Sequence, residues 1–385
     1  MAAFGNELSR LVDELNRSRA ATISGGNSSI DRLLTLAVQR GASDIVLVAG
    51  SAIALRVKGA LTPAAGKPLS AEDIRSLLVP LLTARQAEEL EGNKSLDFCF
   101  ARTQIGRFRA NFHYQRGTLA ACIRLLPAHI PSLESLHLPA ALAELAEPRQ
   151  GLVLLTGPTG CGKTSTLAAL LGLINLRRRD HIITIEDPVE YEHANHNSIV
   201  EQIEVGHDTP SFAQAVRAVL RQDPDVILVG EMRDAETMSA ALTAAETGHL
   251  VLSSLHTNDT SQSISRILDI FPAGHQSQIR QQLSLALVAI VTQQLVPAAD
   301  SANRYPAVEV LMATTAIRNL IRTGQDHQIR SHISTGRAEG MMTMEQSLAE
   351  LVGTGRILRE TAFSHCYNVA ELRQYLKDPP NQPLG

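Results

Sequence analysis

Gly157-Pro158-Thr159-Gly160-Cys161-Gly162-Lys163-Thr164 spells G-x-x-x-x-G-K-[ST]. An apolar run from Gly151 precedes it and an apolar helical run to Leu176 follows. Strand before and helix after is the context this motif needs. The glycines let backbone N–H groups turn inward around phosphate oxygens. Lys163 can reach the outer phosphates, and the Thr164 hydroxyl can hold Mg²⁺. A helix opening at Lys163, with Ser165 in its first turn, points its positive end at the same anion. A glycine-rich turn with a chance lysine would not need both flanks. The ligand that uses all these groups is a nucleoside triphosphate.

Other strand ends supply what a reaction would add. His181–Ile185 reads as a strand running into Glu186-Asp187-Pro188. Val226–Val229 runs into Gly230-Glu231, and His249–Leu255 into His256-Thr257. Ligands of open parallel sheets sit beyond the carboxyl ends of the strands, so these groups and the phosphate loop converge on one crevice. Phosphoryl transfer needs Mg²⁺, a positioned water and donors for equatorial charge. Glu231 is the first choice to orient the water. The place one residue earlier, where an acidic group would back the metal, holds Gly230; Glu186 is left to support Mg²⁺ or the water. The structural alternative for Glu231 is an ion pair with Arg233, two residues on. His256 would sense the outer phosphate or a neighbouring subunit, and His249 would hydrogen-bond a catalytic carboxylate. Histidines at strand ends are more often satisfied polar residues. Cys161 stands by a helix N-terminus, which lowers a thiol pKa; the plainer reading is a small residue that fits.

Two domains must position these residues. At 385 residues the chain can bury two cores. Residues 1–29 read as an extension and linker: Phe4, Leu8, Leu11, Val12 and Leu15 share a helical face, and Ser24-Gly-Gly-Asn-Ser-Ser29 follows. The face suits a docking helix or a frayed terminal one. Residues 30–126 read as an α+β domain. Its helix Asp31–Arg40 is followed by strands at Asp44–Ala49 and Ala54–Lys58 and a capped helix at Ser70. Three more strands follow at Ser95–Phe100, Arg107–Tyr114 and Leu119–Leu125. Arg102, Arg107, Arg109, Arg116 and Arg124 lie in this domain, as a charged sheet edge or as fingers for a neighbour's γ-phosphate. Pro127–Pro139 reads as a semi-rigid hinge. Residues 140–385 alternate strand and helix, the pattern of an α/β parallel sheet. Helices are expected at Ser211–Arg221, at Asp234–Thr247 and from Ser261 onward, with a late strand at Pro306–Met312.

Composition narrows the partners. Lys+Arg 35 against Asp+Glu 39 gives net charge −4, and aromatics are 3% with no Trp. Neither a basic field nor stacking platforms point to nucleic acid. The four cysteines form no C-x-x-C pair, so neither zinc nor a disulfide framework is expected, and a reducing cytosol fits. No apolar run is long enough to span a membrane. Charges at Glu7, Asp13 and Glu14 break any signal-peptide core.

From about Ile30 to Val369 the chain resembles the secretion ATPase superfamily, and within it the type IV pilus retraction motors. The motifs carrying the resemblance are GPTGCGKT (157–164), TIEDPVEY (184–191), DPDVILVGEMRD (223–234) and TAAETGHLVLSSLHT (243–257). AIRNLIR (316–322) and GMMTMEQ (340–346) resemble the C-terminal signature of the retraction branch, though Ile317, Leu320 and Ile321 would equally make a packing face. The resemblance implies a RecA-like P-loop ATPase domain behind a smaller PAS-like α+β domain. It further implies a cytoplasmic homohexamer at the inner membrane, with ATP between subunits and a membrane platform protein as partner. It gives Glu186, Glu231, His249 and His256 the roles proposed above and favours Arg109, Arg116 and Arg124 as arginines acting in trans.

Three features depart from that pattern: Ser43-Asp44-Ile45-Val46 where S-D-L-H is usual, the 29-residue lead, and Cys161 where serine is common. They leave the main motor and an accessory paralogue both open. A pilus-extension or type II secretion ATPase would usually carry a four-cysteine zinc insertion, absent here. A nucleic-acid translocase and a nucleotide-gated adaptor are further alternatives.

Overall fold

The computed structural model describes residues 29–57, 59–63, 66–300 and 303–377. The expected segment from Phe4 to Leu15 and the linker up to Ser28 lie outside them. The chain divides into two compact units between Ala128 and His129.

The first unit packs helices against an antiparallel sheet. Its elements are α1 (Ser29–Gln39), β1 (Ala42–Leu47), β2 (Ala54–Val57), β3 (Ala60–Pro63), α2 (Ala71–Leu78), α3 (Ala84–Asn93), β4 (Ser95–Arg102), β5 (Gly106–Gln115) and β6 (Thr118–Leu125). The sheet order is β3-β2-β1-β6-β5-β4. Alternation sends Phe108, Ala110 and Phe112 of β5 into the core with Ile45, Leu33 and Ile74. The expected strands and capped helix are present; β3 and α3 are additions. The capping box at α3, Thr83 with Gln86, is visible in the sequence. Arg109 and Arg124 do not lie on a sheet edge, as one expectation had it. They face each other across β5 and β6, two interior strands.

The second unit is the expected α/β layer structure. Its strands are β7 (Gly151–Thr156), β8 (His181–Glu186), β9 (Ile199–Glu204), β10 (Val226–Val229), β11 (Leu250–Leu255), β12 (Leu287–Pro297) and β13 (Arg304–Met312). They form one sheet in the order β13-β12-β7-β11-β10-β8-β9. Only the β12–β13 pair is antiparallel. Helices α4 (Lys163–Arg177), α5 (Phe212–Val219), α6 (Ala235–Glu246), α7 (Thr260–Asp269) and α8 (Ala273–Ala286) cross between strands. Successive residues of one strand enter opposite cores. Leu152 and Leu154 of β7 pack with α6 to α8, while Val153 and Leu155 pack with Leu167, Leu170 and Ile174 of α4. Burial on both faces is why these strands read as unbroken apolar runs.

Two expectations are corrected here. Residues beyond Ser261 were expected to be helical until the late strand, yet Leu287–Pro297 is a strand pairing with β7. Its Val288, Ile290, Val291, Thr292 and Val296 are β-branched, which suits a pleated surface. The stretch 127–139, expected as a semi-rigid hinge, is packed in its second half. Leu133, Leu136 and Leu138 pack into the α4 core, and Ser132 and Ser135 bond each other's backbone N–H at 3.0 Å. After β13 come α9 (Thr315–Thr323), α10 (Ile329–Thr335), α11 (Met344–Gly353), α12 (Arg359–His365) and α13 (Val369–Leu376). On α9, Ile317, Leu320 and Ile321 are buried as the packing reading holds. Arg318 bonds the carbonyls of Ala313, Ser284 and Leu285, closing the end of α8.

Candidate active site

β7 is buried along its whole length and stops at Thr156. The chain then turns on Gly157, Gly160 and Gly162, with φ of +139°, +78° and +92°. Two of these glycines are required by contact as well as by φ. A Cβ on Gly157 would lie 2.2 Å from the Gln293 carbonyl, and one on Gly162 would lie 2.8 Å from Gln293 Nε2. Gln293 of β12 is thus the wall against which the loop is formed. Its Nε2 donates to the Cys161 carbonyl at 2.6 Å, and its Oε1 accepts from Thr166 Oγ1 at 2.8 Å. One strand position earlier, Thr292 and Thr156 join hydroxyls at 2.8 Å.

Pro158, Thr159 and Gly160 are exposed, and Thr164 and Ser165 are half-buried. Ser165 Oγ meets the Tyr191 hydroxyl at 2.8 Å. The Lys163 ammonium donates to the carbonyls of Gly157 and Pro158 at 2.8 and 3.1 Å. Burial lowers its pKa. Cys161 follows the plainer of its two readings: burial pushes its thiol pKa up, against Lys163, and the residue is 3% exposed. It is the small residue that fits; a Cβ on Gly157 would come within 2.7 Å of its sulfur.

Glu231 follows β10. Its Oε1 pairs with Arg233 Nε at 2.6 Å, and its Oε2 lies 3.6 Å from His256 Nε2. His256 Nδ1 is 3.5 Å from Lys163 Nζ. Burial and then Lys163 lower the His256 pKa, against Glu231. Lys163, His256, Glu231 and Arg233 therefore form one file of charged and polar groups along the carboxyl edge of the sheet. The pairing of Glu231 with Arg233 expected as the structural alternative is present, and the other carboxylate oxygen faces the histidine. Gly230 leaves little space for a side chain: a Cβ there would lie 3.2 Å from the Ile185 carbonyl.

Glu186 ends β8, next to β10 in the sheet. It is buried, accepts from Thr184 Oγ1 at 2.7 Å and from Gln202 Nε2 at 3.2 Å, and burial raises its pKa. Gln202 also donates to the Tyr191 carbonyl at 2.8 Å. Its β9 holds the acidic strand end and the Tyr191 segment together.

His249 is not part of this edge. It precedes β11, at the amino end of the strand whose carboxyl end leads to His256. Its Nδ1 lies 3.0 Å from the Ala244 carbonyl and 3.4 Å from Thr247 Oγ1, where it closes α6. The expected bond to a catalytic carboxylate does not form. The three arginines lie in the first unit. Arg124 Nε meets the buried Asp44 at 2.9 Å while its side chain stays 62% exposed. Arg109 has no ion-pair partner among the described residues, and Arg116 sits exposed in the β5–β6 turn at φ +48°.

Gln293, Thr292, Gln202 and Tyr191 were missing from the expected site. A signal for the first two was present: Leu287–Val291 is an apolar run ending in Thr292-Gln293-Gln294. That is the pattern of the other strand ends.

Residues 121–371 match the family model described as Type II/IV secretion system protein. The chain belongs to this family of secretion and pilus ATPases. It is 41% identical to the type IV pilus ATPase PilU of Pseudomonas aeruginosa, over 90% of this chain and 91% of PilU. It is 44% identical to a twitching motility protein of Neisseria gonorrhoeae, over 82% of this chain and 84% of that one. Its fold matches the crystal structure of the pilus retraction motor PilT with bound ADP at TM-score 0.83 and 45% identity. That match covers 89% of this chain and 98% of that one. The ATPase hydrolyses ATP. No described helix is long and apolar enough to cross a membrane.

Proposed function

We propose that this ATPase powers type IV pilus retraction. It acts as a homohexamer at the cytoplasmic face of the inner membrane, with a membrane platform protein as partner. The observation that carries the reading is the match over most of the chain to the retraction motor PilT. Gly157–Ser165 would bind the phosphates, with Lys163 leaving the loop carbonyls to meet them. The donor set suits Mg²⁺ beside those phosphates: Thr164 offers a half-buried hydroxyl, and Glu186 is fixed by Thr184 and Gln202 to back the ion or a water. Bound there, Mg²⁺ would neutralise charge on the phosphate oxygens. Glu231 orients the attacking water, and His256 stands between it and Lys163. Arg109, Arg116 and Arg124 of a neighbouring subunit would supply donors for charge that grows in the transition state. ATP binding and release would rotate the first domain against the second.

A second reading, an accessory pilus ATPase, is favoured by the similarity to PilU over 90% of the chain. Deletion in the source organism, scored for surface pili and twitching, tests the direction of force. Piliated, non-motile cells are expected; bald cells would indicate assembly instead.

A further inference from the structure

β12 carries two adjacent glutamines, Gln293 and Gln294, and neighbouring side chains of a strand leave on opposite faces. Gln293 holds the phosphate loop. Gln294 Nε2 donates instead to the Tyr367 hydroxyl at 2.7 Å. That hydroxyl donates in turn to the Asn258 carbonyl. Asn258 lies two residues beyond His256, in the short loop between β11 and α7. The tyrosine oxygen accepts one bond and donates one, so it joins β12 to the His256 loop.

Tyr367 is itself anchored. Its backbone N–H and that of Asn368 both donate to Glu345 Oε1, at 2.8 and 2.7 Å. Glu345 is fully buried, and Arg330 reaches its other oxygen at 2.8 Å and Glu371 at 3.0 Å. A buried carboxylate paired with arginine and two N–H donors holds one geometry. The far end of the His256 loop is fixed too. Thr257 and Ser263 join hydroxyls at 2.6 Å, and Glu309 accepts from Thr260 N and Oγ1 at 3.1 and 2.6 Å. The His256 ring, by contrast, meets Lys163 and Glu231 only at 3.5 and 3.6 Å. Contacts that long do not set its position; the loop does.

We propose that Tyr367 is a positioning residue for ATP hydrolysis, its hydroxyl tying the His256 loop to β12 and so setting where His256 stands between Lys163 and Glu231. The clasp gives α11 to α13 a direct hold on the reaction site. The inference rests on the reading of His256 and Glu231 as hydrolysis residues.

Steady-state ATP turnover of the full-length assembly tests it. Tyr367→Phe keeps the ring and removes the clasp. It should lower kcat about three- to tenfold, with KM for ATP within about twofold and an unchanged assembly and melting midpoint. Gln294→Ala should lower kcat in the same way, and the double variant should be no slower than Tyr367→Phe alone. A Tyr367→Phe enzyme with parental kcat overturns the proposal, as does full additivity of the two losses. Should Tyr367→Phe fail to assemble, parental kcat in Gln294→Ala overturns it equally. His256→Ala with parental turnover would instead remove the reading of His256 on which the proposal stands.

Discussion

At the amino edge of the parallel sheet, polar side chains are tied into backbone and tight ion pairs. Asp225 accepts the His181 N–H at 2.8 Å, His249 closes α6, and Asp180 is clamped by Arg149 at 3.0 Å and by Arg178. At the carboxyl edge of the same strands, Glu231 pairs with Arg233 at 2.6 Å and Lys163 holds two loop carbonyls, but both meet His256 only at 3.6 and 3.5 Å. Such spacing is too long for a firm hydrogen bond. His249 and His256 sit one strand apart and are the same residue type, yet one finishes a helix and the other stands between Lys163 and Glu231. Strand direction, more than residue type, decides which polar groups remain available for chemistry.

The comparison can be broken at several points. Lys163→Ala should have the largest effect, cutting ATP turnover by about two to three orders of magnitude and weakening nucleotide binding. Equilibrium binding of a fluorescent ATP analogue, with turnover alongside, checks both. Gln293→Leu should come next. It strips the Cys161 carbonyl and Thr166 hydroxyl of their partner at a cost of about 1–3 kcal/mol. A raised KM for ATP and a lower melting midpoint are expected, read by kinetics and thermal unfolding. His249→Ala should be the mildest, with turnover within about twofold of the parent. A loss as deep as that of His256→Ala would mean the two edges are not distinct.

Much of this was legible in the residues. The phosphate loop declared itself by spacing and flanks, and the two-faced burial of β7, β8, β10 and β11 showed as apolar runs. Glu231 and His256 follow those runs directly. What stayed hidden depended on partners far away in sequence. Gln293 is 130 positions beyond Lys163, and nothing local shows that two loop glycines are shaped by its backbone and carboxamide. β12 was concealed because it continues from α8 without a turn. His249 was misplaced for a simpler reason: a histidine before a strand and one after it look alike until the strand is given a direction. Arg109 and Arg124 read as a sheet edge because strand order is not written in the chain. Only the register puts them across two interior strands, above a buried Asp44 that takes one of them.

The central claim is that Glu231, at the carboxyl edge, orients the water that attacks ATP. Glu231→Gln keeps the shape and removes the charge. Steady-state turnover of that variant, with nucleotide binding measured on the same sample, is the direct test. The account predicts binding close to the parent and turnover lower by about two orders of magnitude or more. Turnover equal to the parent would contradict it.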